Sequence, residues 1–96
     1  MSRITSTVET AQASRYLQQL CKHWSHRFAT AFDAAQGTVA LPSGTLTLAA
    51  DATRLHLTLE ADDAGALPRL GEVVAEHLRR FAFREELVID WTAASG

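Results

Sequence analysis

The stretch Arg54-Leu55-His56-Leu57-Thr58-Leu59-Glu60 decides the fold. Leucine alternates with polar residues at a period of two, and only an extended chain turns that period into two faces. Leu55, Leu57 and Leu59 face a core, and His56, Thr58 and Glu60 face water. Towards the N-terminus the pattern repeats. Asp51-Ala52-Thr53 reads as a turn, and Thr45–Ala49 sets Leu46 and Leu48 against Thr45 and Thr47. Pro42-Ser43-Gly44 is a hairpin signal, Thr38–Leu41 a short extended piece, and Gln36-Gly37 a further turn. Phe28–Ala34 alternates again, with Phe28, Thr30 and Phe32 on one side. Short turns between consecutive strands predict an antiparallel meander, apolar on one face and threonine-rich on the other.

Two amphipathic segments flank the meander. From Ala11 to about Arg27, Ala13, Tyr16, Leu17, Leu20, Cys21, Trp24 and Phe28 fall at spacings of three and four. At roughly 100° per residue they make one stripe, with Arg15, Gln19, Lys22 and His26 opposite. Thr10 stands in the N-cap place. Asp62-Asp63 opens the second helix, with negative charge at the positive end of its dipole. Leu67, Leu70, Val74, Leu78 and Phe81 form its stripe, Pro68 sits in the first turns, and the pattern ends near Phe83. Gly71, in the helix interior, predicts close packing against the sheet. Glu76 and Arg80 are in the favourable order for a surface ion pair. Arg3–Glu9, with Ile4, Ser6 and Val8 on one side, is a first strand. Leu87, Ile89 and Trp91, alternating with Val88 and Asp90, predict a closing strand, and Thr92–Gly96 a loose tail.

The order β-α-β-β-β-β-α-β therefore predicts an α+β two-layer sandwich. Its sheet is mainly antiparallel and both helices lie on one face. The chain has 96 residues, which sets the expectation of one domain over 1–96 with an ordered core at about 3–92. Strand order does not follow from the pattern.

Composition narrows the function classes. Hydrophobic residues are 47% and charged residues 21%, with a net charge of −2, so no basic field invites nucleic acid. One cysteine, Cys21, allows neither an internal disulfide nor a cysteine-rich zinc site. No apolar run has the ~18 residues of a membrane span, and residues 1–7 carry no signal-peptide core. The expectation is a small soluble cytoplasmic protein.

The densest polar cluster is Cys21-Lys22-His23-Trp24-Ser25-His26. His23 and His26, three apart, can share a helix face, while Cys21 lies about 200° from His23. Cys21 reads as a buried hydrophobe and His77 as a hydrogen-bonded histidine at the edge of the second stripe. His23, His26 and His77 are the metal-ligand candidates, without the three or four convergent ligands a complete site needs. His56 reads as solvated. The first helix carries Arg15, Lys22 and Arg27 and no carboxylate, so Arg15, Lys22, His23, His26 and Arg27 are the candidate ligand-binding residues for an anion. The pairs Asp62-Asp63 and Glu85-Glu86 read as a cap and a surface junction. No serine has a nucleophile-elbow context and no glycine loop cradles phosphate.

Three stretches carry a resemblance: Ser14–His26, Leu55–Ala61 and, most specifically, Val74–Trp91. From about residue 3 to residue 92 the chain resembles the bacterial domain of unknown function 2218. The matching positions are Arg15, Tyr16, His23 and His26 in one group. His77, Arg80, Phe81, Arg84, Glu85, Leu87 and Trp91 make the other. The resemblance implies a small stand-alone bacterial protein, with relatives associated with siderophore-interacting flavin reductases and hence with iron uptake. It supplies no activity and no functional residue. The expected function is a non-enzymatic binding or accessory module without a cofactor. Its expected partner is an anionic small molecule or a protein such as a siderophore-linked reductase. The alternatives are a homodimeric or protein-interaction domain and a small enzyme using a histidine base.

Overall fold

A computed structural model describes residues 2–94 of the chain. The elements run β1 (Ser2–Glu9), α1 (Ala13–Trp24), β2 (Thr30–Phe32), β3 (Gln36–Leu41), β4 (Gly44–Ala50), β5 (Arg54–Ala61), α2 (Leu67–Phe81) and β6 (Thr92–Ala94). They form an α+β fold with a six-stranded antiparallel sheet in the order β2-β3-β4-β5-β1-β6. The meander of β2 to β5 stands as expected, and β1 inserts between β5 and β6. Consecutive neighbours are antiparallel, so β1 runs parallel to β2, which lies at the far edge. The chain from β1 to β2 must cross the sheet, and α1 makes that crossing by packing over β3, β4 and β5.

The leucines that decided the reading are the centre of the core. Leu46, Leu48, Leu55, Leu57 and Leu59 on the sheet meet Leu17, Leu20 and Cys21 of α1 and Val74 and Leu78 of α2, all fully buried. On the outer face one register row sets Thr38, Thr47, Thr58, Thr5 and Thr92 side by side on five adjacent strands.

Several local expectations change. The turn falls at Asp33–Ala35 rather than at Gln36-Gly37. The Asp33 carboxylate accepts the N–H groups of Ala35 and Gln36, both at 2.8 Å, and this Asx turn substitutes for a glycine turn. Those two N–H donors hold the Asp33 carboxyl below the usual range. Gly37 instead lies inside β3, where a Cβ would come within 2.7 Å of Cys21 Sγ. Its use is close approach, not turning.

Helix α1 is shorter than the 11–27 pattern. Thr10 is not its N-cap: Gln12 is, without a side-chain bond, and Thr10 Oγ1 accepts the Gln12 N–H at 3.0 Å in a turn just upstream. At the other end Ser25, His26 and Arg27 form a turn. The strand expected over 28–34 contracts to β2. Asp63 caps a 3-10 turn at Ala64–Ala66, accepting the Gly65 N–H at 2.9 Å, and α2 begins only at Leu67. Helix α2 ends at Phe81, and Glu76 pairs with Arg80 at 3.0 Å.

The largest correction concerns the C-terminal segment. Leu87 and Ile89 are buried and Val88 is exposed, so the alternation is real. No ladder forms there, and the strand is Thr92–Ala94, in the piece read as a tail; Ser95 and Gly96 lie outside the described residues. Alternation reports burial, and here residues 87 and 89 cover the core without pairing to a strand. Trp91 donates its Nε1–H to the Gly71 carbonyl at 3.2 Å. A Cβ on Gly71 would come within 2.9 Å of that nitrogen. Gly71 is thus needed for the indole, not for the sheet. No helix among the described residues is long and apolar enough to cross a membrane.

Candidate functional site

The stripe position of Tyr16 buries its ring, and the phenol reaches the segment that follows α2. Its O–H donates to Glu85 Oε2 at 2.5 Å, and the Thr10 O–H donates to the same oxygen at 3.1 Å. Glu85 is brought there by the end of α2. The Ala82 N–H closes the helix on the Leu78 carbonyl, and the Glu85 N–H then folds back onto Ala82 O at 3.2 Å. Glu85 is therefore a clasp between the entrance of α1 and the exit of α2, which corrects its reading as a plain surface junction.

Around this clasp lies a cleft of about 430 Å³. Arg15 and Arg84 line it, and Phe81 and Phe83 add aromatic surface. The Arg84 guanidinium carbon stands 5.4 Å from the Phe83 ring centre, an arrangement that restrains both side chains. Neither Arg15 nor Arg84 enters an ion pair among the described residues. Two cationic forks thus stand open beside one carboxylate already engaged by two hydroxyls. Gln19, one turn beyond Tyr16 on α1, keeps its Oε1 buried with no partner among the described residues. It borders, with Gln12 and Arg15, an adjoining hollow of about 490 Å³.

Burial pushes the Tyr16 phenol up to about 12, helped by the hydrogen bond and charge of Glu85 and opposed by the Arg15 charge. The fold thus favours the neutral phenol. Its contribution to stability is whole below the ordinary phenol pKa of about 10 and is lost as pH rises towards 12. The chain has one tyrosine, so tyrosinate absorbance reports this group alone. The expected midpoint lies near 12, and Glu85→Gln lowers it by removing the negative charge. An ordinary midpoint, with circular dichroism still native, would contradict the clasp.

The other sequence candidates separate. Arg15 lines the cleft. Lys22 is exposed on the same helical face, about 10 Å further along at 1.5 Å per residue. His26 and Arg27 are exposed in the turn beyond α1, with Arg27 near the Phe28 ring. These three do not join Arg15 in the cleft. His23 packs instead against α2, its ring centre 5.6 Å from His77 and 6.0 Å from Phe81. His26 stays apart because α1 ends at Trp24. Among the described residues no group of three or more His, Cys, Asp or Glu is placed to hold a metal.

His77 donates its Nδ1–H to the Val73 carbonyl at 2.8 Å; a carbonyl only accepts, so the proton sits on Nδ1. That agrees with the hydrogen-bonded reading. Cys21 is fully buried, and burial pushes its thiol up to about 11, which disarms it as a nucleophile. His56 is not simply solvated but contacts Asp51 at 3.1 Å. The Thr53 N–H, then His56, hold the Asp51 carboxyl down to about 2.

Arg84 and Glu85 are the site residues that charge and spacing missed. Glu85 lies 69 positions from Tyr16, and no local rule joins such a pair. The resemblance did contain the signal. Its two groups of matching positions, on α1 and at the end of α2, touch through Tyr16–Glu85, His23–His77 and His23–Phe81.

A family model described as an uncharacterized protein conserved in bacteria, DUF2218, matches residues 5–92. Among solved structures, the chain is similar to the NMR structure of PA4090 from Pseudomonas aeruginosa. The two share 36% identity over 96% of each chain, with a TM-score of 0.80. No curated protein matches the chain.

Proposed function

The chain belongs to the DUF2218 family of uncharacterized bacterial proteins, and from that footing we propose that it is a non-enzymatic binding module for a small anion carried on an apolar or aromatic body. The observation that carries the proposal is the pair of open guanidinium groups, Arg15 and Arg84, in one cleft with Phe81 and Phe83. Guanidinium forks match carboxylate and phosphate geometry, and aromatic walls suit the body that bears them. Binding is favoured over catalysis by the state of the reactive groups. The phenol and the thiol are both pushed up, to about 12 and about 11, away from their ionised forms. A ferric siderophore with carboxylate or aryl groups belongs to this ligand class. The link to iron uptake and to a reductase partner rests on the family resemblance, and a cytoplasmic setting belongs to the same proposal.

The test is a titration of the ¹⁵N-labelled protein with citrate, salicylate, inorganic phosphate and a ferric siderophore. The expected result is a dissociation constant below about 100 μM, roughly −5.5 kcal/mol, for at least one probe. Its shifts should centre on Arg15, Tyr16, Arg84 and Glu85. Shifts centred on Lys22 and Arg27, or none, would remove the proposal.

A protein-interaction role is the second reading. Phe83 is 79% exposed and Val88 67% exposed, two apolar side chains on the segment after α2 that are open to a partner. Light scattering at micromolar concentration separates the self-associating version of this reading from the first.

A further inference from the structure

We infer that His23 and His77 form a two-imidazole site for a late first-row divalent cation, copper(II) most tightly, with water completing the coordination. The site shares Phe81 with the arginine cleft but none of its polar residues, and it does not depend on anion binding there. The proton on His77 Nδ1 is fixed by the Val73 carbonyl at 2.8 Å, so the Nε2 lone pair is the one free to bind. That is the arrangement in which ligating histidines are held, with one nitrogen tied to a carbonyl and the other on the metal. The His77 ring is fixed further by Trp24, 5.0 Å away between centres, so little freedom remains to be lost when it binds. His23 comes from the other helix, is exposed, and brings its ring centre to 5.6 Å from that of His77.

Two imidazoles on one ion, at metal–nitrogen distances of about 2.0–2.1 Å, set their ring centres about 4.5–5.5 Å apart for bond angles of about 90–120°. The observed 5.6 Å lies at the upper edge of that range, and the exposed His23 side chain is the one that turns to bring its nitrogen onto the ion. Imidazole donors suit copper, nickel and zinc, and copper stands highest in the affinity order. The edge of Phe81 beside His23 walls one side with apolar surface. Because only two protein donors converge, coordination positions remain open to water or to a small ligand.

Two measurements on the full chain without an affinity tag test the site. One equivalent of zinc is added to ¹⁵N-labelled protein and the imidazole nitrogens are followed. The expected result is a large shift of Nε2 in His23 and His77, with His26 and His56 unmoved. Copper(II) is then titrated against tryptophan fluorescence, which Trp24 makes sensitive to this position. His23→Asn and His77→Asn should each weaken copper binding at least tenfold, and His26→Asn should leave it unchanged. His23 is exposed, so its variant keeps the fold even where the His77 variant does not. Zinc shifts spread over all four histidines, no shift at one equivalent, or equal weakening by His26→Asn would overturn the inference.

Discussion

Trp24→Ala should lower the stability by about 3–5 kcal/mol, the range for deleting a buried large aromatic side chain. The chain's whole stability is expected at roughly 5–14 kcal/mol for its size, so the loss is a large fraction of it. Trp24 is 3% exposed. Its ring lies 5.0 Å from His77 and 6.2 Å from Phe28, so it is the wedge between α1, α2 and the chain leading to β2. With roughly 4 °C or more lost per kcal/mol in a domain of this length, the melting temperature should fall by at least about 12 °C. Trp91→Ala should cost less, because Trp91 is only half-buried. Chemical denaturation of the three proteins measures both. A Trp24→Ala cost below about 1 kcal/mol would mean that the two helices do not meet on this ring.

Glu85→Ala is the second large effect. It leaves the Tyr16 hydroxyl, on a buried residue, without its acceptor and strands the Thr10 hydroxyl as well. A hydrogen bond to a charged group contributes about 1.5–3 kcal/mol; Glu85 is itself exposed, so the loss should lie towards the lower end, and Glu86→Ala, equally exposed and outside the clasp, should stay within about 0.5 kcal/mol. A double-mutant cycle with Tyr16→Phe should return a coupling of about 1 kcal/mol or more, whereas additive losses would show that the two side chains act independently. The same substitution should loosen the segment from Ala82 to Trp91 and so blur the cleft that Arg84 and Phe83 line.

The sheet was readable because its information is local and periodic. Leu46, Leu48, Leu55, Leu57 and Leu59 announce both the strands and the buried face. Antiparallel hairpins with short turns leave little choice of partner. Where β1 sits was not readable, since its pairing with β5 joins Ser2–Glu9 to residues more than 40 positions away. The segment 87–91 misled for a different reason. A period of two records which side chains meet the core, and it is silent on whether the backbone has a strand beside it. At Asp33 a side chain supplied the turn that glycine was expected to supply, and Gly37 was freed to lie against Cys21.

The site was legible in fragments. Arg15 stood out from charge alone, and the thiol's burial followed from its place on the stripe. The pairing of Tyr16 with Glu85 and of His23 with His77 depends on where two helices end and how they cross, which no local pattern encodes. Lys22, His26 and Arg27 were drawn in by their nearness in sequence. A helix that ends at Trp24 puts two of them in a turn and leaves Lys22 two turns from Arg15.

The most direct measurement is calorimetric titration of the best anionic probe into three proteins: the native chain, Arg15→Gln/Arg84→Gln and Lys22→Gln/Arg27→Gln. Each double variant removes the same charge, and only the first touches the cleft. Binding weakened at least tenfold by the first pair, with the second pair close to native, is the predicted result. Equal weakening by both pairs would reduce the effect to net charge, and unchanged binding in the first would contradict an arginine-bracketed anion site.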